Sequence, residues 1–277
     1  MIPIERAGGA FADVRVLMTD IDDTMTLDGR LPGEAYRVLE ALADAGIAVV
    51  PVTGRPAGWC DMIARMWPVS GVIGENGALW FSYDTFSRRM QAIFAQEEAE
   101  RAANRLRLDQ LAQRILAGVP GTALASDQPY RMFDLAIDHC EDVAPLPPAE
   151  ISRILEMFEA VGATAKVSSI HVNGWFGSHD KLGMARRVLI DVLGIEADQF
   201  GSQVAFIGDS PNDEPMFHAF PLSVGVANVK HFLGTIQNLP CYVTQERGGD
   251  GFVAFANMVL AARKSSAAAI ASKRGSH

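Results

Sequence analysis

The 277-residue sequence contains no basic run, no CxxC pair, and no apolar stretch near the roughly 20 residues that a membrane-spanning helix needs. Each absence removes a class of function. Lys and Arg number 24 against 33 Asp and Glu, for a net charge of −9. Without a basic stripe interleaved with aromatics, a nucleic-acid backbone is not an expected partner. The opening residues, Met1-Ile2-Pro3-Ile4-Glu5-Arg6, lack a basic segment followed by an apolar one, so no secretory signal is expected. Cys60, Cys140 and Cys241 are widely separated and cannot all pair, which makes a reducing, cytoplasmic setting the simplest expectation. Oligomeric state is left open. What the chain does have is core material. Its 49% hydrophobic and 21% charged residues describe a globular protein of one large or two modest domains.

The most informative stretch is Asp20-Ile21-Asp22-Asp23-Thr24-Met25-Thr26, which follows Val14-Arg15-Val16-Leu17-Met18-Thr19. The latter reads as a buried parallel strand, so the acids arrive at its carboxyl end, where open α/β sheets bind ligands. Two carboxylates at i and i+2 on such a loop suit attack by one and proton transfer by the other, with a divalent cation relieving their repulsion. An acidic turn capping the next helix is the alternative. That helix is expected from Pro32-Gly33 to about Ala45 and ends at Gly46. A second strand over 47–52 delivers Thr53-Gly54-Arg55-Pro56, where Thr53 either caps the following helix or helps bind an anion. A third, Gly71-Val72-Ile73, leads to the turn Glu75-Asn76-Gly77, and Ala78-Leu79-Trp80-Phe81 is again extended. This alternation predicts an α/β fold, a Rossmann-like doubly wound parallel sheet.

The alternation breaks near Tyr83. A helix over 96–116, strands over 123–126 and 130–139, a helix over 148–161 and a strand over 164–173 predict an inserted α+β domain. The division expected is 1–81 and 177–277 for the core, with 82–176 inserted. In 131–139 the apolar Phe133, Leu135 and Ile137 alternate with Asp134 and Asp138; in 167–173, Ile170 and Val172 alternate with Ser169, His171 and Asn173. Arg131 is expected on the packed side. The polar face is either solvated or the roof of a polar ligand site.

From Gly177 the α/β pattern resumes. Lys181 opens a helix, where a cation opposes the helix dipole unless an anion is near. A strand over 203–207 then leads into Gly208-Asp209-Ser210-Pro211-Asn212-Asp213, with Asp209 offering the oxygen chemistry that Mg²⁺ prefers. A final helix is expected from Gly248 to about Ala262, with a frayed tail over 264–277.

Taken in order, DIDDT, Thr53 after a buried strand, Lys181 and GDSPND resemble the four motifs of the haloacid dehalogenase superfamily of phosphatases and phosphomutases. The resemblance spans residues 14–263. The insertion lies at the position of that family's C2 cap and looks like the C2B type of sucrose-phosphate, mannosyl-phosphoglycerate and trehalose-phosphate phosphatases and of phosphomannomutase. The resemblance implies Asp20 as a nucleophile forming an aspartyl-phosphate and Asp22 as general acid, then base. It implies Thr53 and Lys181 as holders of the phosphoryl group, and Mg²⁺ bound by Asp20, Asp209, Asp213 and the backbone carbonyl of Asp22. Contacts to a phosphate ester are implied for Thr53, Gly54, Arg55, Asn76, Lys181 and Asn212, and the cap residues Asp134, His171 and Asn173 are expected to choose the substrate. Asp23 stands where the family most often has glycine. The expected activity is hydrolysis of a small sugar or polyol phosphate; a phosphomutase or an inactive ligand-sensing module are the alternatives.

Overall fold

The computed structural model describes residues 1–168 and 170–274, with side chains to residue 265. A six-stranded parallel sheet runs in the order Ile2–Pro3, Tyr242–Val243, Leu222–Gly225, Val204–Gly208, Val16–Thr19, Ala48–Pro51. Its strands are apolar at nearly every position because both faces are covered. Leu17, Val49, Ile207 and Val224 pack on one face, under the helices Gly33–Asp44, Ala57–Met66 and Gly248–Arg274. Met18, Val50, Val204 and Phe206 pack on the other, with Val188 and Leu189 of the helix Lys181–Asp191. This is the doubly wound core expected.

The edge strand is extended by a bridge between Val52 and Ile73 into an antiparallel hairpin sheet of Val72–Gly74, Leu79–Asp84 and Arg89–Phe94. Residues 82–94 therefore pair with the core side rather than with the inserted sheet. That second sheet is antiparallel, in the order Ala123–Leu124, Leu135–Asp138, His171–Trp175, Thr164–Val167. Helices Glu98–Gly118 and Pro148–Glu159 cover one face through Leu108, Ile115, Ile154 and Phe158, which bury Leu135, Ile137 and Val172. The opposite face is free to look at the core.

Two expectations change here. The chain expected to fray from residue 264 continues the last helix to Arg274. Its Ala, Ser and Lys residues keep helical propensity without a Gly or Pro to stop it, even though they carry no apolar stripe. Arg131 lies outside the strand Leu135–Asp138, so strand parity does not govern its direction. Ser169 falls outside the described residues.

Candidate active site

Four chain segments bring their polar residues to the carboxyl edge of the parallel sheet. Asp20 follows the strand Val16–Thr19, and its N–H continues the ladder by donating to the Ile207 carbonyl at 2.9 Å. Asp209 follows the neighbouring strand Val204–Gly208, where a methyl group on Gly208 would collide with the Asp213 carboxylate. Lys181 enters from the first residue of its helix, which is capped by the Asp180 side chain accepting from the Gly183 N–H. Its ammonium donates to Asp20 Oδ1 and Asp213 Oδ1, both at 2.8 Å, and more distantly to Asn212 Oδ1 at 3.4 Å. Asp213 Oδ2 also accepts from the Asp209 N–H at 3.1 Å. So the lysine opposes the helix dipole because two buried carboxylates demand it.

Oxygens of Asp20, Asp209 and Asp213 all lie within 4.8 Å of one another. Three buried carboxylates face one ammonium, which leaves an excess of negative charge in a desolvated place. The Asp20 carboxyl is raised to about 8, chiefly by burial, with Lys181 pulling it down and Asp213 and Asp22 adding to the rise. Burial, then Asp20, likewise holds Asp209 well above the usual carboxylate range. Burial alone would lower the Lys181 ammonium, but the charges of Asp20 and Asp213 outweigh it and hold it above its ordinary value. A hard divalent cation fits such a donor set, since it supplies the missing charge and prefers carboxylate oxygen.

The carboxylate of Asp22 has a different cationic partner. Arg55 grips it in a forked contact, Nε at 3.0 Å from Oδ2 and Nη2 at 2.8 Å from Oδ1, while its guanidinium lies 4.4 Å over the Trp59 ring. Thr53 is fully buried, and its hydroxyl accepts from the Arg55 N–H at 3.0 Å. It therefore shapes the 53–55 loop rather than capping the helix Ala57–Met66, and its hydroxyl proton stays available. Gly54 backs onto the Asn76 amide, which would come within 3.2 Å of a methyl group there.

The roof comes from the inserted unit. Asp22, Gly54, Arg55, Asn76, Asp209 and Asn212 share a cavity of about 710 Å³ with His171, Asn173, Arg131 and Lys166. Asp134 does not line it. Its carboxylate is consumed by Arg131 Nη1 at 3.0 Å and Asn173 Nδ2 at 3.1 Å, so it orients its neighbours instead of meeting a ligand. Asp138 accepts from the N–H groups of Cys140, Glu141 and Asp142 and serves the turn that follows it. Ile170, expected on the packed side with Val172, lies in the cavity wall because it precedes the strand His171–Trp175.

Arg131, expected on the packed side, lines the cavity instead. It is held by Asp127 (Nε–Oδ1 2.9 Å) and Asp134, and it donates to the Gly54 carbonyl of the core at 3.0 Å. The i, i+3 and i, i+4 acids around it were the available signal. Asp127 and Glu141, also passed over, stand 3.9 and 3.7 Å from Arg55 Nη1. His171 Nε2 comes 2.9 Å from Glu141 Oε2 without the alignment of a hydrogen bond. Burial and then the charge of Arg131 lower its basicity. Glu75 belongs to the turn expected at 75–77. It is fully buried, with its carboxyl raised to about 7 by burial and by Asp134 against the pull of the Met132 and Phe133 amides.

No family model matches the chain. Over 245 residues it is 29% identical to the phosphoglycolate phosphatase of Methanoculleus marisnigri, an alignment covering 87% of this chain and 94% of that protein. In structure it is similar to a HAD/COF-like hydrolase from Plasmodium vivax, with a TM-score of 0.64 and 20% identity over 91% of this chain and 95% of that one. The sucrose-phosphatase of Synechocystis sp. PCC6803, solved with sucrose and phosphate, matches with a TM-score of 0.61 and 17% identity over 89% of this chain and 98% of its own. The fold is thus shared over 95% and 98% of these two solved structures.

Proposed function

We propose a specific chemistry for this chain, which has the fold of the haloacid dehalogenase superfamily and is a phosphatase: Mg²⁺-dependent hydrolysis of a small phosphomonoester through an aspartyl-phosphate on Asp20. The observation that carries this reading is the Lys181 ammonium held at 2.8 Å from both Asp20 and Asp213, with Asp209 beside them. Asp20, Asp209, Asp213 and the main-chain carbonyl of Asp22 would hold Mg²⁺, which would neutralise charge on the phosphoryl oxygens.

The protein's own groups divide the remaining work. An oxygen of Asp20 attacks phosphorus in line, and the ester oxygen leaves as the alcohol with a proton from Asp22. Asp22 then takes a proton from water, whose oxygen attacks the aspartyl-phosphate and restores Asp20. Lys181 and the Thr53 hydroxyl hold the equatorial oxygens, where developing charge is most sensitive to fixed donors. Arg55 holds the Asp22 carboxylate in the cavity wall through its forked contact. Asp213 fixes the Lys181 ammonium through its short contact.

For the substrate, the leading class is a sugar or polyol phosphate. A cavity of about 710 Å³ is far larger than a two-carbon acid needs, and falls in the range of about 300–1,000 Å³ typical for ligands of drug size. Asn173 and His171 offer it hydrogen-bonding groups from the roof. A carboxylate-bearing ester such as 2-phosphoglycolate is the second reading, favoured by Lys166, which lines the cavity with no acidic partner among the described residues, and by the name of the relative above. A phosphomutase would need several free roof cations to hold a bisphosphate in two orientations, whereas the charge of Arg131 is matched by Asp127 and Asp134. Phosphorylated sugars, polyols and 2-phosphoglycolate assayed with and without Mg²⁺ decide between these readings. Asp20→Asn should abolish turnover of the best ester; a variant keeping more than about a tenth of the rate would remove the covalent route.

A further inference from the structure

Glu75 is a buried carboxylate that the reaction does not use. It follows the strand Val72–Gly74 and opens three residues in the left-handed region, with φ of 45° at Glu75, 55° at Asn76 and 102° at Gly77. For the two residues that are not glycine, such a backbone costs on the order of 1 kcal/mol or more each, so the turn is held by something stronger. Its three members face three different parts of the molecule. The Asn76 amide packs on Gly54, Gly77 lies so close to the Asp180 carbonyl that a methyl group would overlap it, and the Glu75 carboxylate enters the inserted unit.

The partners of that carboxylate are backbone amides. Oε1 accepts from Ala57 at 2.9 Å and Met132 at 2.8 Å, and Oε2 accepts from Phe133 at 2.6 Å and Asp134 at 3.2 Å. Ala57 begins a core helix, while 132–134 lie in the inserted unit between Arg131 and the strand Leu135–Asp138. Only a carboxylate of this length presents two oxygens with four lone pairs to four N–H groups; a glutamine would turn an NH₂ group against two of them. An apolar side chain would leave all four buried without acceptors.

We propose that Glu75 is a positioning residue that docks the inserted unit on the core and so sets the height of the roof above Asp20. The link to the site is short. The Arg131 guanidinium, next to the bound amides, donates to the Gly54 carbonyl at 3.0 Å and is braced by Asp134. Asp134 in turn receives the Asn173 amide that lines the cavity. The docking stands on geometry alone; its effect on turnover rests on the phosphatase reading.

Amide hydrogen exchange on the full chain tests it, comparing wild type with Glu75→Gln. Exchange at 132–134 should rise by about tenfold or more in the variant, with 16–19 and 204–208 unchanged. KM for the best metabolite should rise about tenfold, while hydrolysis of a small aryl phosphate that does not reach the roof stays within about twofold. Unchanged exchange at 132–134, or equal losses on both substrates, would overturn the proposal. Should Glu75→Gln not fold, the wild type decides: protection of 132–134 beyond that of the outer strand 164–167 supports docking by Glu75, and exchange as fast as the hairpin turn 85–88 overturns it. A wild type inactive on every ester would sink the phosphatase reading and leave the exchange result standing.

Discussion

Replacing Lys181 by Met tests the heart of the site. The lysine is 5% exposed, and its ammonium carries two contacts of 2.8 Å to Asp20 and Asp213. The methionine keeps the stem, already buried in the wild type, so it gains little apolar burial to offset the loss. What remains is a pair of buried carboxylates without their cation, the situation in which breaking a buried ion pair costs about 3–5 kcal/mol. With a urea m-value of about 3 kcal/mol/M or more for a chain of this size, the unfolding midpoint should fall by roughly 1 M. Mg²⁺ should recover much of that loss, because a cation at about 100 times its dissociation constant that binds only the folded acids adds about 2.7 kcal/mol. Turnover should fall by about 10²–10³, the usual consequence of losing one fixed donor to a transition-state oxygen. The measurements are urea unfolding with and without MgCl₂, and steady-state hydrolysis. A variant whose midpoint moves by less than about 0.2 M and which retains more than about a tenth of the rate would refute this account of the cluster.

Three further outcomes follow from neighbouring residues. Asp209→Ala should shift the Mg²⁺ requirement steeply upward, and superimposable Mg²⁺ titrations of wild type and variant would remove Asp209 from the metal site. His179 is held at about 4, below its ordinary 6.5, by burial against the opposing charge of Asp180. The unfolded chain therefore takes up the proton first, and stability should decline as pH falls from about 6.5 to about 4, by about 3 kcal/mol at most. His179→Phe, which keeps the stacking on Trp175 and the edge contact with Phe133, should remove that slope; an identical pH profile of unfolding would contradict it. His171→Ala should cost roughly 1–3 kcal/mol in transition-state terms on the best metabolite and almost nothing on a small aryl phosphate, and equal losses on both would mean a general defect.

The polar edge of the parallel sheet was legible because each motif sits at a point that local pattern defines. Asp20 and Asp209 end apolar strands, and Lys181 stands in a first turn where a cation is out of place. The roof was harder to read, since strand parity applies only inside a strand. Arg131 and Ile170 lie just beyond their strands, where the backbone turns and the alternation lapses. Asp134 had the right polarity, and its i, i+3 spacing from Arg131 hinted at that pairing, but Asn173 lies 39 residues away and no local pattern reports it. Glu75 stayed hidden inside what looked like an ordinary Glu-Asn-Gly turn, because its partners at 132–134 are 57 to 59 residues away. The hairpin that carries 82–94 to the core side was invisible for the same reason: pairing is a long-range property that a change in composition near Tyr83 does not report.

The last helix has a bearing on how the protein is made. Its glycines tuck beneath the loop of residues 20–26: the Gly249 N–H donates to the Thr26 carbonyl at 3.0 Å, and Asn228 joins the Asp23 carbonyl, at 2.7 Å, to the Gly248 N–H, at 3.0 Å. A ribosome adding about 5–20 residues per second emits this support roughly 10–45 s after the loop itself. Through that interval the acids of residues 20–23 exist without their floor, and for most of it without Lys181. A translation product broken off before residue 248 carries Asp20, Thr53, Lys181 and Asp209, yet lacks the Gly249 contact to the Thr26 carbonyl. The loop of residues 20–26 therefore gains its contact to Gly249 long after its own synthesis, and any earlier folding of it proceeds without that contact.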